Sequence, residues 1–245
     1  MLPGLRRSFC LHFLSAEAGK SHSFKPSFTQ RTNICMSPPQ LNALLGNIDI
    51  YLLDQLLKGR IDPGMRILDV GCGEGRNLVY FIRQGTEVWG IDCNASALQL
   101  LRMYGKSLHP GFDPEKIIED DAAAISLPPA RFDAVISSAV LHFAENGVHF
   151  AQMFTELCRM LRPGGLLFLR TAARAGIADQ LQPLAEAGRF VLPDGSERYL
   201  PSADELAELM RAHQLISLEP PRYVVVERAR CMGTWILQKE FVPKQ

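Results

Sequence analysis

Between residues 40 and 57 the apolar positions Leu41, Leu44, Leu45, Ile48, Leu52, Leu53, Leu56 and Leu57 recur at intervals of three and four, which predicts helix with a break near Gly46. A short apolar run at 65–70 then reads as a strand, followed by a helix over 74–84 that Gly85 closes. The same alternation continues with a strand at 87–91, a helix at 95–104 and a strand at 116–120. A further strand at 132–137, a helix at 150–161 and a strand at 165–171 complete it, the last entered through the turn Arg162-Pro163-Gly164-Gly165. Strands alternating with helices in this way predict a doubly wound α/β fold, a parallel sheet covered by helices on both faces.

The end of the chain departs from that repeat. Phe190-Val191-Leu192 and Arg198-Tyr199-Leu200 flank Pro193-Asp194-Gly195-Ser196, which predicts an inserted β-hairpin. Ser202 and Glu205 form a capping box that opens a helix running to about residue 213. Apolar runs at 223–227 and 231–237 are joined by Arg228-Ala229-Arg230, a link long enough only for an antiparallel pair, because a parallel crossover needs a dozen or more residues.

Composition narrows the picture. The 245 residues and a hydrophobic fraction of 47% fit one large domain. Residues 1–36 stand apart: Arg6, Arg7, Lys20, Lys25 and Arg31 face a single acid, Glu17, with many serines and no sustained period. They read as an N-terminal extension, disordered or targeting, ahead of a domain at 37–245, with Met36 an alternative start. The apolar stretch 9–14 is too brief for a secretory signal and carries His12. No apolar run approaches the roughly 20 residues needed to span a bilayer. Twenty-six Lys and Arg balance 26 Asp and Glu, which disfavours a nucleic-acid partner and leaves a small molecule as the expected one. The six cysteines show neither C-x-x-C pairing nor close histidines, so they read as free thiols in a cytoplasmic setting, with organellar import through the extension as the alternative and no metal implied.

The chemistry concentrates where strand 65–70 ends, in Leu68-Asp69-Val70-Gly71-Cys72-Gly73-Glu74-Gly75-Arg76. Glycines at 71 and 73 let the backbone turn sharply and bring main-chain N–H groups close to a nucleotide-like ligand. The spacing is G-x-G-x-G, not the G-x-G-x-x-G of pyrophosphate binders. Arg76 holds the third-glycine position, where its bulk is expected to crowd the packing of helix on strand. Asp92 closes the second strand about 20 residues beyond the first glycine, the place of a carboxylate that accepts from ribose hydroxyls. At the end of the third strand Asp121, chosen over Asp120, is positioned to accept from an adenine amine. Three strand ends thus converge on the crevice where open α/β sheets bind ligands.

With these residues in view, the chain from about residue 49 to 239 resembles the class I S-adenosylmethionine-dependent methyltransferases. Residues 67–76 resemble the family's first motif, Gly90-Ile91-Asp92 its second, residues 132–137 its fourth-strand motif and residues 161–166 the turn before the fifth strand. The resemblance implies a Rossmann-like sheet of seven strands, the last antiparallel, and S-adenosylmethionine as cofactor. It also implies Gly71, Cys72 and Gly73 against the methionine part, Asp92 with Cys93 at the ribose and Asp121 with Ala122 near the adenine. Asp69 would orient the turn or meet the amino group, and Arg76 and Ser137 complete the cofactor set. Gly75-Arg76-Asn77 resembles a branch that includes tellurite-resistance and thiol methyltransferases.

The end of the fourth strand, Ser137-Ser138-Ala139-Val140-Leu141-His142-Phe143, should face the methyl group. It lacks the Asn/Asp-Pro-Pro-aromatic and Pro-Cys patterns of base methylation. His142 is a candidate base, Arg170 a candidate binder of a carboxylate or oxyanion, and Tyr51, Phe190 and Tyr199 candidate lid aromatics. Two other readings share the glycines and Asp92: a nicotinamide-dependent oxidoreductase and a non-catalytic cofactor-binding subunit.

Overall fold

The computed structural model describes residues 36–241; the reading of the N-terminal extension lies almost wholly outside the described residues. Ser37 caps the helix α1 (Pro38–Leu45) with a capping box, and Gly46 ends it, as the break in the apolar period predicts. Asp49 caps α2 (Ile50–Leu57). The parallel core follows as β1 (Ile67–Val70), α3 (Val79–Arg83), β2 (Val88–Asp92), α4 (Ala95–Leu108), β3 (Ile117–Glu119), β4 (Phe132–Ser138), α5 (Gly147–Met160) and β5 (Leu161–Ala172).

The helix expected over 74–84 is shorter than predicted. Gly75, at φ +79°, keeps the chain outside the helical region, so the regular turns begin only at Val79.

Strands β1 with β2, β2 with β3, β1 with β4 and β4 with β5 pair in parallel. Residues alternate between the two faces of this sheet. Ile67, Ala134, Ile136 and Phe168 pack with Leu52, Phe81, Ile82 and Leu101 on one face. Leu68, Val70, Val135, Leu167 and Leu169 pack with Phe150, Phe154 and Leu157 on the other. Burial on both faces explains why these strands read as continuous apolar runs.

After β5 the chain forms a small antiparallel sheet of β6 (Gln182–Pro183), β7 (Arg189–Val191) and β8 (Glu197–Tyr199). The hairpin was legible; the two residues of β6 are too few to carry a period. Then come α6 (Ala203–Ala212) with its Ser202–Glu205 capping box, β9 (Leu215–Ser217), β10 (Arg222–Val226) and β11 (Arg230–Lys239).

The main sheet runs β3-β2-β1-β4-β5-β11-β10, with β9 also on β11. The expected antiparallel pair is present, since β11 runs antiparallel to β5, β9 and β10. Because β9 and β10 both lie along β11, they are two pieces of one strand. The break at 218–221 contains Pro220 and Pro221, which lack the N–H a ladder needs.

Candidate active site

The turn after β1 is tied to β2: the N–H groups of Gly71 and Cys72 both donate to the Ile91 carbonyl, at 2.8 and 2.9 Å. Gly71 sits at φ +72°, and a Cβ there would lie 2.2 Å from Val140 Cγ2. Only glycine therefore allows the loop after β4 to approach the turn. The close helix contact expected of a third glycine falls on Gly75, whose Cβ would meet Leu101 Cδ1 at 2.5 Å.

Arg76 is thereby freed from helix packing, contrary to the expectation that it would crowd it. Its guanidinium swings outward and donates to Ser138 Oγ at 3.3 Å.

Beside this turn lies a cleft of about 330 Å³ that opens at Gly71 between the ends of β1, β2 and β3 and the segment after β4. Asp92, Cys93, Asp120, Asp121 and Ala122 line it. Asp92 is held by two main-chain donors, Gly73 N to one oxygen and Asn94 N to the other, each at 2.8 Å.

The two acids after β3 both line the cleft and differ in how their oxygens are engaged. Asp120 spends one oxygen on Asp121 N and the other on the Ser126 N–H and hydroxyl. Asp121 uses only Oδ1, which accepts from Ala123 N at 2.8 Å. On the opposite wall, Val140 and Phe143 belong to the segment expected to face the methyl group, whereas His149 and Met153 were not anticipated. Those two come from α5, where no local pattern marks a ligand contact.

Other predicted cofactor residues fall elsewhere. Cys72 is buried, and burial pushes its thiol far above the usual range, so only its backbone is available to a ligand. Ser137 is fully buried and lines neither cavity, and its hydroxyl has no partner among the described residues. Its neighbour Ser138, on the other face of β4, is the one that reaches Arg76. Asp69 lies beneath the turn, 1% exposed. Burial, opposed by Arg76 and reinforced by Asp92, raises its carboxyl to about 8.

A second cavity of about 310 Å³ adjoins the first, and Ala139 lines both. Ala139 has φ +66°, a left-handed conformation uncommon for alanine, and its N–H donates to the Arg170 carbonyl at 2.7 Å. Arg76, His142 and Arg170 face this second cavity, so Arg76 belongs here and not with the Asp92 cleft. Behind them Asp49, the buried cap of α2, stands 3.1 Å from Arg170 Nη1 and 3.9 Å from Arg76 Nη2. Nothing in the sequence singles out Asp49; its pairing with two distant arginines follows from the fold.

His142 is 6% exposed, and its Nδ1 accepts from Ala172 N at 3.3 Å. The neutral ring therefore carries its proton on Nε2. Burial first, then the charges of Arg198 and Arg170, lower it to about 4.

None of the expected lid aromatics lines either cavity. Tyr199 is buried against Phe150 with its hydroxyl on Glu205, Phe190 lies under Arg174, and Tyr51 lies under Arg222. Among the described residues no group of His, Cys, Asp and Glu is arranged to hold a metal ion.

This arrangement has counterparts among known proteins. Residues 68–169 match the family model described as a methyltransferase domain. In sequence they are similar to that family over 102 of the 245 residues. The match spans β1 to β5, the segment that builds the Asp92 cleft.

The chain is 32% identical over 148 residues to a ubiquinone biosynthesis O-methyltransferase of Xylella fastidiosa, covering 60% of this chain and 58% of that protein. It is 35% identical over 126 residues to a malonyl-[acyl-carrier protein] O-methyltransferase of Enterobacter lignolyticus, covering 51% and 45%. The chain thus spans about half the length of these curated relatives. Among solved structures, a methyltransferase of Methanosarcina mazei shares the fold with a TM-score of 0.62 at 20% identity, over 76% of this chain and 98% of that one. A magnesium protoporphyrin IX methyltransferase from Synechocystis, solved with bound S-adenosylhomocysteine, does so with a TM-score of 0.59 at 14% identity, over 84% and 89%. At those identities the fold is what is shared.

Proposed function

We propose that this chain transfers a methyl group from S-adenosylmethionine to a small-molecule acceptor. The reading rests chiefly on Ala139, which joins a cleft lined by Asp92 and Asp121 to a second cavity behind Arg76, His142 and Arg170. The residues suit the cofactor: a Cβ at Gly71 would fill the approach to the turn, and Asp92 and Asp121 present carboxylates at two strand ends of one cleft. Asp92 takes the ribose hydroxyls, Asp121 the adenine amine, and the Gly71 to Gly73 backbone the methionine part. Asp69 orients the turn or meets the amino group.

When bound, S-adenosylmethionine supplies a methyl carbon made electrophilic by its sulfonium. The chain's own contribution is to position the acceptor in line with that carbon and to keep water out. His142 acts as a hydrogen-bond donor through Nε2 and not as a base, because its Nδ1 lone pair is engaged and burial disfavours its protonated form. The two relatives named above are both O-methyltransferases, which supports an oxygen acceptor. A cytoplasmic location fits the free state of Cys72, Cys93, Cys158 and Cys231, and among the described residues no helix is long and apolar enough to cross a membrane. The balanced net charge speaks against a nucleic-acid substrate.

Calorimetric titration with S-adenosylhomocysteine tests the reading. The protein should bind it, and Asp92→Ala should weaken binding by roughly 30-fold or more, the loss of charge-assisted hydrogen bonds of about 2 kcal/mol. Equal affinity in the variant, or binding of a nicotinamide nucleotide in its place, would overturn it.

A further inference from the structure

The second cavity carries more positive charge than its structural role requires. Arg76, Arg170, Arg198 and Arg230 line it, with Asp194 the one acid among the lining residues. Asp49 serves Arg76 and Arg170 together from behind the wall. Asp194 is turned toward its own loop, accepting from the Ser196 N–H at 3.0 Å and the Ser196 hydroxyl at 2.6 Å. Four guanidinium groups therefore face two carboxylates, both already engaged.

Arg198 and Arg230 form no ion pair among the described residues. Arg198 stacks on the Phe143 ring, 4.7 Å from its centroid, which fixes the guanidinium without neutralising it. The Nε of Arg170 is buried with no hydrogen-bond partner. His142 adds a neutral N–H donor at Nε2. Every one of these groups offers donors, and guanidinium forks match the planar or tetrahedral oxygens of an oxyanion.

We infer that this cavity takes an acceptor bearing a carboxylate or phosphate group, held by Arg170, Arg198 and Arg230 while the atom to be methylated is presented past Ala139. The assignment of the bound molecule as acceptor rests on the methyl-transfer reading above; the anion site itself does not.

The test uses the full chain. S-adenosylhomocysteine binding is measured first. Benzoate, benzamide and inorganic phosphate are then titrated into the protein, and the titrations are repeated on Arg198→Ala, Arg230→Ala and the double variant. Benzoate or phosphate should bind and neutral benzamide should not, with each single variant weakening the anion by about tenfold and leaving S-adenosylhomocysteine affinity within about twofold. Preference for benzoate assigns a carboxylate, and preference for phosphate assigns a phosphoryl group. Unaltered cofactor binding in the variants shows that they fold. Benzamide binding as tightly as benzoate, no binding of either anion, or anion binding indifferent to the double substitution overturns the proposal. Failure of S-adenosylhomocysteine to bind, with phosphate still bound through Arg230, removes the methyl-transfer reading and leaves the anion site standing.

Discussion

Asp69 and His142 titrate in opposite senses, and each adds its own slope to the way stability without cofactor responds to pH. Burial raises the Asp69 carboxyl to about 8, so the folded chain keeps a proton that the unfolded chain releases near 4. Its contribution to stability declines as pH rises through that window. His142 is lowered to about 4, so between about 4 and 6.5 the unfolded chain binds the extra proton and stability rises with pH. The two slopes oppose one another below 6.5, and Asp69 acts alone from there to about 8. Thermal unfolding should show the cofactor-free protein losing stability over pH 6.5–8, by at most about 1.4 kcal/mol per pH unit, and Asp69→Asn should flatten that decline. A variant that keeps the wild-type slope would assign it to another group. That Asp92 and Asp121 share one cleft was legible, because a carboxylate at or just beyond the carboxyl end of a strand beside a glycine turn lies at the crevice of an open sheet. Asp49, Arg198 and Arg230 were not, since each stands in an ordinary local context and gains its meaning from segments distant in the chain.

At the scale of elements, the inserted β6-β7-β8 sheet is fixed to α6 by one buried contact. Tyr199, 3% exposed and 5.1 Å from the Phe150 ring by centroid, donates to Glu205 Oε1 at 2.6 Å. The same Glu205 closes the capping box on Ser202, so a single carboxylate serves both the hairpin and the helix start. Tyr199→Phe should cost about 1–2 kcal/mol in urea unfolding, the range for a hydrogen bond to a charged group shared with solvent. A loss below about 0.5 kcal/mol would mean that the ring alone holds the sheet in place. The hairpin was readable from Pro193-Asp194-Gly195-Ser196, and the antiparallel last pair from its three-residue link. The division of the edge position beside β11 into β9 and β10 was hidden, because residues 215–217 are too short to show alternation. Only the ladder with β11 reveals that both pieces belong to one line. The start of α3 was overrun for a related reason: its apolar positions keep helical spacing while Gly75 prevents the backbone from following it.

Over the whole molecule, positive and negative charges balance, so no long-range field draws an anion toward it. The arginines of the second cavity act only at short range. Raising the salt from about 0.01 to 0.1 M shortens the Debye length from about 30 to about 10 Å, and phosphate affinity should fall only a few-fold across that change. A fall of a hundredfold would point to a broader basic surface. The parallel core was readable from end to end, since helix and strand periods alternate cleanly from residue 65 to 171. The second cavity was not, because it forms only when β8, β11 and the Asp194 loop are brought over the end of β5. Ala139 is where these two halves meet, and it offers a single methyl group as the partition. A bulky compound can leave its body in the outer compartment and pass one atom over that sill. Size selection then falls on the immediate surroundings of the reacting atom, leaving the remainder of the molecule free to vary.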